Sequence, residues 1–381
     1  MRMPPGGSKF IIASLVALTA AILWTTEVRA HAFGRPVANP APRFRPPDAP
    51  SPALPTLGPI QTVDQNDVGD PFILSVAPGV EPPSGLPYAS YGPDAYVSSA
   101  WTPASEASAV RDGWYVLFGT TDWQSNVPTA VSIDGIHWTQ APDALPVLPR
   151  WAAPSISMTW APAALHVGNR WILYFSTEES SSRLECIGRA VASQPAGPYV
   201  DSSTRPMLCQ RSLGGSIDPS VVVDSGGEYL VWKNDGNSSS KPDFLWSQKL
   251  SGDGLDLIGE AHRLLDASAP WTRGIIEGPA MVPSVAGGYW LFYSGGGWES
   301  SSYGTGLAHC ATVTGPCADT SGKPYLATSG SLISPGGLDT FIGRDGRTWA
   351  AFTALVLVPS TWHPGRYYYN RVLDVAPMLT R

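Results

Sequence analysis

Five segments of the chain carry an unbroken apolar and aromatic run directly behind a polar turn. They are "WYVLFGT" from Trp114, "WILYFST" from Trp171, "YLVWKND" from Tyr229, "YWLFYSG" from Tyr289 and "WAAFTAL" from Trp349. Their starts lie 57, 58, 60 and 60 residues apart. The turns in front of them are "VRDG", "HVGNR", "DSGGE", "VAGG" and "GRDGRT". Short aromatic and β-branched runs bounded by such turns predict strands rather than helices.

The likeness extends in both directions. Downstream come "TAVSIDGIHW", "CIGRAVAS", "DFLWSQKLS", "TGLAHCATV" and "YYYNRVLDV". About eleven residues upstream of four of the five runs sits another short strand: "WAPAAL" at Trp160, "IDPSVVV" at Asp218, "EGPAMV" at Glu277 and "GLDTFI" near Leu338. The first unit has "DPFIL" at Asp70 and then a long insertion. A fixed period of this length, with about four strands per unit, marks propeller blades. A β-sandwich leaves the regular spacing unexplained. The expected fold is all-β, a five-bladed β-propeller over residues 63–381.

Composition supports many short strands and tight turns. Only 14% of residues are charged, 10% are aromatic, and there are 39 glycines and 38 prolines. The start of the chain reads differently. Arg2 and Lys9 precede the apolar run "FIIASLVALTAAILW", and "TTEVRA" ends on Ala30. A charged start, a short apolar core and a small exit residue predict a cleavable signal peptide over 1–30. The apolar run is shorter than the roughly 20 residues that span a bilayer. Residues 31–62 are crowded with Pro, Ala and Arg and predict an extended linker. Losing residues 1–30 removes three cations and one anion, which takes the net charge from −7 to −9. An acidic, exported monomer with neither nucleic-acid nor membrane partners is expected. Four cysteines suit the periplasm or the extracellular medium. Cys310 with Cys317 and Cys186 with Cys209 each bracket a Gly-Pro turn, which favours local disulfides among the three connectivities open to four cysteines. No C-x-x-C spacing points to a metal.

The strand in front of each aromatic run should line the propeller axis. Matching positions read Asp70, Trp160, Asp218, Glu277 and about Leu338. Three acids converging on one mouth raise one another's pKa, so one can hold a proton near neutral pH. A protonated acid facing an ionised one is the equipment for cleaving a glycosidic bond. Taken singly, an Asp-Pro pair often only caps a turn.

The segments "GDPFIL", "WAPAAL", "SIDPSVVVDSGGEYL", "EGPAMV" with "GGYWLFYSGG", and "YGTGLAHCATVTGP" resemble glycoside hydrolase family 43, over roughly residues 66–381. The related five-bladed fructan and sucrose hydrolases use N-D-P-N-G, R-D-P and E-C signals; this chain has "VGDPF", "SIDPS" and "IEGPA". The resemblance implies an inverting hydrolase of pentose glycosides, α-L-arabinofuranosides or arabinan first and β-D-xylosides second. It assigns Asp70 as general base, Glu277 as general acid, and Asp218 as the group that tunes and orients Glu277. Trp160 is expected as a pocket wall, with Trp101, Trp123, Trp298 and Tyr303 extending the cleft from loops. Many family members place a histidine after P-G-H in the fifth blade to help bind an axial ion. Here that stretch is "SPGGLDTFIGRDG". The missing histidine argues against an axial calcium, and no cofactor is expected. A carbohydrate-binding propeller without turnover is the rival class; it would not need all three acids.

Overall fold

The computed structural model describes residues 53–64, 67–83, 103–154, 158–320, 322–359 and 367–379, within the compact unit Asp48–Arg381. The segment read as an export signal lies outside the described residues, as do Trp101 and the linker up to residue 52.

Five antiparallel sheets form the blades of a propeller. Blade one holds Gly69–Val76, Trp114–Thr120, Thr129–Ser132 and Thr139–Ala141, with the helix Pro103–Asp112 inside its first connection. Blade two holds Thr159–Val167, Arg170–Glu178 and Glu185–Ala192. Blade three holds Ile217–Asp224, Gly227–Lys233, Phe244–Leu250 and Leu257–Asp266. Blade four holds Ile276–Pro283, Tyr289–Gly295, Gly304–Cys310 and Cys317–Asp319. Blade five holds Gly336–Ile342, Thr348–Pro359 and Tyr367–Leu379. The first strand of each blade packs on the first strand of the next, and the fifth returns to the first.

The N-terminal end of the unit closes that last blade. Thr56–Leu57 and Gln61–Asp64 pair with Tyr367–Leu379. These strands lie largely within the stretch expected to be linker. Pro55 and Pro59 hide them in the sequence, but proline is tolerated at a sheet edge.

Each second strand is buried on both faces, which is why it reads as a continuous apolar run. In blade one, Trp114, Val116 and Phe118 enter the core shared with blade two, while Tyr115 and Leu117 enter the core shared with blade five. In blade four, Leu291 and Tyr293 face blade three, and Trp290 and Phe292 face blade five. Leu230 and Trp232 meet Ile172 and Tyr174 between blades three and two. Five hydrophobic cores thus fill the five blade interfaces. Each large side chain so buried stabilises the fold by about 1.5–3 kcal/mol. Cys186–Cys209 and Cys310–Cys317 are disulfide-bonded, so the cysteines pair locally. Among the described residues no helix is long and apolar enough to cross a membrane.

Candidate active site

Every first strand carries an irregularity at the same point. The pairing with the second strand shifts between Gly69 and Phe72, Trp160 and Ala163, Ile217 and Ser220, Glu277 and Ala280, and Gly336 and Asp339. Just inside each shift the backbone turns left-handed, at Asp70 (φ 46°), Ala161 (44°), Asp218 (55°), Gly278 (55°) and Gly337 (61°). Blades four and five use glycine there, which tolerates this φ. Asp70 and Asp218 hold it at a cost of about 1–2 kcal/mol each.

These bulges correct the equivalence expected from the sequence. Asp70 and Asp218 share one position, with Ala161, Gly278 and Gly337. Trp160 and Glu277 stand one residue earlier, with Gly69, Ile217 and Gly336. A bulge adds a residue to one strand and re-aims its side chains, so residues from both positions line the same pocket. Leu338 does not join them: it is buried in the core between blades four and five.

The pocket has a volume of about 740 Å³ and is lined by Asp70, Asp218 and Glu277 together with Trp160, Trp123, Trp298 and Tyr303. Trp123 and Trp298 are 71% and 51% exposed. Tyr303 lies in a loop, as expected, immediately before the strand Gly304–Cys310, but it is buried there. It is 7% exposed, and its hydroxyl donates to Glu277 Oε1 at 2.8 Å. Burial, then the charges of Glu277 and Asp70, raises its pKa and keeps it a neutral donor.

Three further charged residues were not singled out in the sequence. Lys233 Nζ donates to Glu277 Oε2 at 3.1 Å. Arg371 is tied to Asp67, with Nε donating to Oδ1 at 2.8 Å and Nη2 to Oδ2 at 3.1 Å, and its guanidinium lies 5.7 Å from the Trp298 ring centre. A Cβ on Gly69 would come within 2.0 Å of Arg371 Nη1, so only glycine lets the guanidinium approach the strand that carries Asp70. Thr120 Oγ1 donates to Asp70 Oδ2 at 2.6 Å.

Burial raises the pKa of Asp70; Arg371 and the Thr120 hydroxyl pull against it, and the net displacement is upward. Burial, then the charges of Glu277 and Asp70, pushes Asp218 up to about 8. Asp218 therefore holds its proton near neutral pH beside the other two acids.

Below the trio lies an axial cavity of about 30 Å³. Its wall is largely Pro71, Phe72, Ala161, Pro162, Pro219 and Pro279, and beyond Asp70 and Asp218 of the trio its polar side chains are Ser220 and Asp339. Asp339 already accepts the Thr340 amide at 2.6 Å. Calcium takes six to eight oxygens, and this wall does not fit that shell without drawing on Asp70 and Asp218. Among the described residues, one group has metal-ligand spacing, Glu179 with Cys186 and Cys209, but both sulfurs are in a disulfide.

The model of glycosyl hydrolases family 43 matches residues 97–380. The chain belongs to that family. As a family 43 protein it is a glycoside hydrolase. A probable arabinan endo-1,5-α-L-arabinosidase A of Aspergillus flavus is 24% identical over 59% of this chain and 73% of its own length. The extracellular exo-α-(1→5)-L-arabinofuranosidase ArbA of Cellvibrio japonicus is 26% identical over 59% of this chain and 68% of its own. Among solved structures, a thermostable family-43 glycoside hydrolase superposes with a TM-score of 0.63, at 19% identity, over 83% of this chain and 91% of that one. The endo-arabinase of Bacteroides thetaiotaomicron gives 0.56 at 18% identity over 70% and 90%. At these identities the structural likeness speaks for the fold.

Proposed function

We propose that this family 43 enzyme hydrolyses α-L-arabinofuranosides, with α-1,5-linked arabinan as the polymer and β-D-xylosides as second choice, by a single inverting displacement. The observation that carries the chemistry is the convergence of Asp70, Asp218 and Glu277 on one pocket beside Trp160. Water attacks the anomeric carbon. Asp70 takes a proton from that water as the new C–O bond forms. The glycosidic C–O bond breaks, and Glu277 delivers its proton to the departing oxygen. Asp218 neighbours Glu277 and shares the trio's proton balance. Trp160 offers an apolar ring to the C–H face of the sugar. The choice of arabinose rests on the relatives named for arabinan. Action outside the cytoplasm is supported by two disulfides, the export-signal pattern and relatives named as extracellular.

The test is sugar release by the purified protein from linear arabinan, arabinoxylan, an aryl α-L-arabinofuranoside, an aryl β-D-xyloside and sucrose. Arabinose products from the first and third substrates are expected. Xylose release alone would reassign the sugar, and binding without release from any substrate would favour a carbohydrate-binding propeller.

A further inference from the structure

The second strands meet the five bulges in register. Thr120, Ser176, Ser294 and Thr353 pair with the residue just before the bulge in blades one, two, four and five. Three of these hydroxyls also reach across to the next blade. Thr120 Oγ1 accepts the Ala161 amide at 2.9 Å, Ser176 Oγ accepts the Asp218 amide at 3.0 Å, and Ser294 Oγ accepts the Gly337 amide at 2.8 Å. Blade three breaks the series, because Lys233 stands at that position, paired with Ile217. An ammonium has no acceptor for the Gly278 amide. Asp218 Oδ2 takes that amide instead, at 2.9 Å.

The exchange has two consequences. Asp218 is fixed to the backbone residue that follows Glu277. The ammonium of Lys233, 1% exposed, is free to reach Glu277. Lys233 also donates to Asn237 Oδ1 at 2.6 Å and lies 4.0 Å from Asp235 and 3.9 Å from Asp243. With the Tyr303 hydroxyl on Oε1, both carboxylate oxygens of Glu277 are held from below.

We propose that Lys233 is a positioning residue for Glu277: together with Tyr303 it fixes the carboxylate's orientation, and its charge sets the pH at which the acidic trio loses its last proton. This rests on Glu277 being the general acid. The charged and titratable groups facing Glu277 are Asp70 of blade one, Asp218, Lys233 and Asp243 of blade three, and Tyr303 of blade four. Lys233 is the cation among them. Burial opposes its charge, and Glu277, Asp243, Asp218 and Asp235 more than offset that, so it stays protonated across the working range.

Removing Lys233 alone strands buried carboxylates. The test therefore uses Lys233→Met and the charge-balanced pair Lys233→Met with Asp243→Asn, each checked by thermal unfolding. Turnover is measured against pH on the natural polymer and on the dinitrophenyl glycoside of the same sugar, whose leaving group needs no proton. A folded variant is expected to lose on the order of 10²-fold on the polymer and far less on the dinitrophenyl glycoside. The basic limb of its profile should move up by about one pH unit, since loss of a nearby cation favours the protonated trio. Equal loss on both substrates with an unmoved limb would make Lys233 a structural counter-ion and overturn the proposal. Glu277→Gln run in parallel separates the two failures. If that variant still cleaves the polymer normally, the acid assignment itself is wrong.

Discussion

Asp218 Oδ2 accepts the amide hydrogen of Gly278 at 2.9 Å, so the carboxylate of blade three is tied to the residue beside Glu277 on blade four. Asparagine can keep that hydrogen bond through its side-chain oxygen while removing the charge. Asp218→Asn should fold normally and lose activity chiefly through its pH profile. Losing a neighbouring negative charge eases ionisation of the remaining acids, so the basic limb should fall by about one pH unit. An unchanged profile would remove the tuning role of Asp218.

Tyr303 gives Glu277 one of its two donors from a buried position. Tyr303→Phe keeps the ring and its packing but deletes that bond, at a cost of about 1 kcal/mol in stability. Turnover of polymer should fall roughly ten-fold, which is about 1.4 kcal/mol of transition-state stabilisation, with little change in KM. A rise in KM with unchanged kcat would instead place the tyrosine against the sugar.

Glu185 presents a separate stability effect. It is 6% exposed, both carboxylate oxygens lack a hydrogen-bond partner among the described residues, and burial followed by the charges of Asp235 and Glu178 pushes it up to about 8. A carboxyl raised from 4.5 favours the fold while neutral, and its contribution is lost as pH rises through about 8. Glu185→Gln stays neutral at every pH. It should unfold at a higher temperature than the parent at pH 9, by about 2–4 °C per kcal/mol relieved, and match it near pH 5. Equal melting temperatures at pH 9 would show the carboxylate to be solvated.

Trp160 stands one residue before the bulge of blade two and lines the pocket. Trp160→Ala should raise KM for arabino-oligosaccharides roughly ten-fold while leaving the melting temperature within a few degrees, as expected for a sugar-facing wall worth about 1–1.5 kcal/mol. A fall in thermal stability without a change in KM would make it a packing residue.

The propeller was legible because every second strand is buried on both faces, which turns "WYVLFGT" and its four counterparts into runs that repeat at a steady interval. The acids were legible as types and as neighbours. Their register was not, because the bulge separates Asp70 and Asp218 from Glu277 and Trp160 by one residue, a step no strand period reveals. Lys233 was hidden for a related reason. Thr120, Ser176, Ser294 and Thr353 lie at differing distances from the aromatic start of their segments, so no column of the repeat showed that a lysine replaced a hydroxyl. Tyr303 read as a loop aromatic because its burial comes from the fold around the axis, and Arg371 becomes visible only when blade five meets Gly69 of blade one.

In the proposed mechanism water displaces the leaving group in a single step, with Asp70 as base and Glu277 as acid. The most direct test is the anomeric configuration of the first sugar released, followed by proton NMR in the opening minutes of hydrolysis of an α-1,5-linked arabino-oligosaccharide. The β anomer should appear first and the α anomer only as mutarotation proceeds. The α anomer appearing first would mean a double displacement through a glycosyl-enzyme, and would contradict the roles given to Asp70 and Glu277.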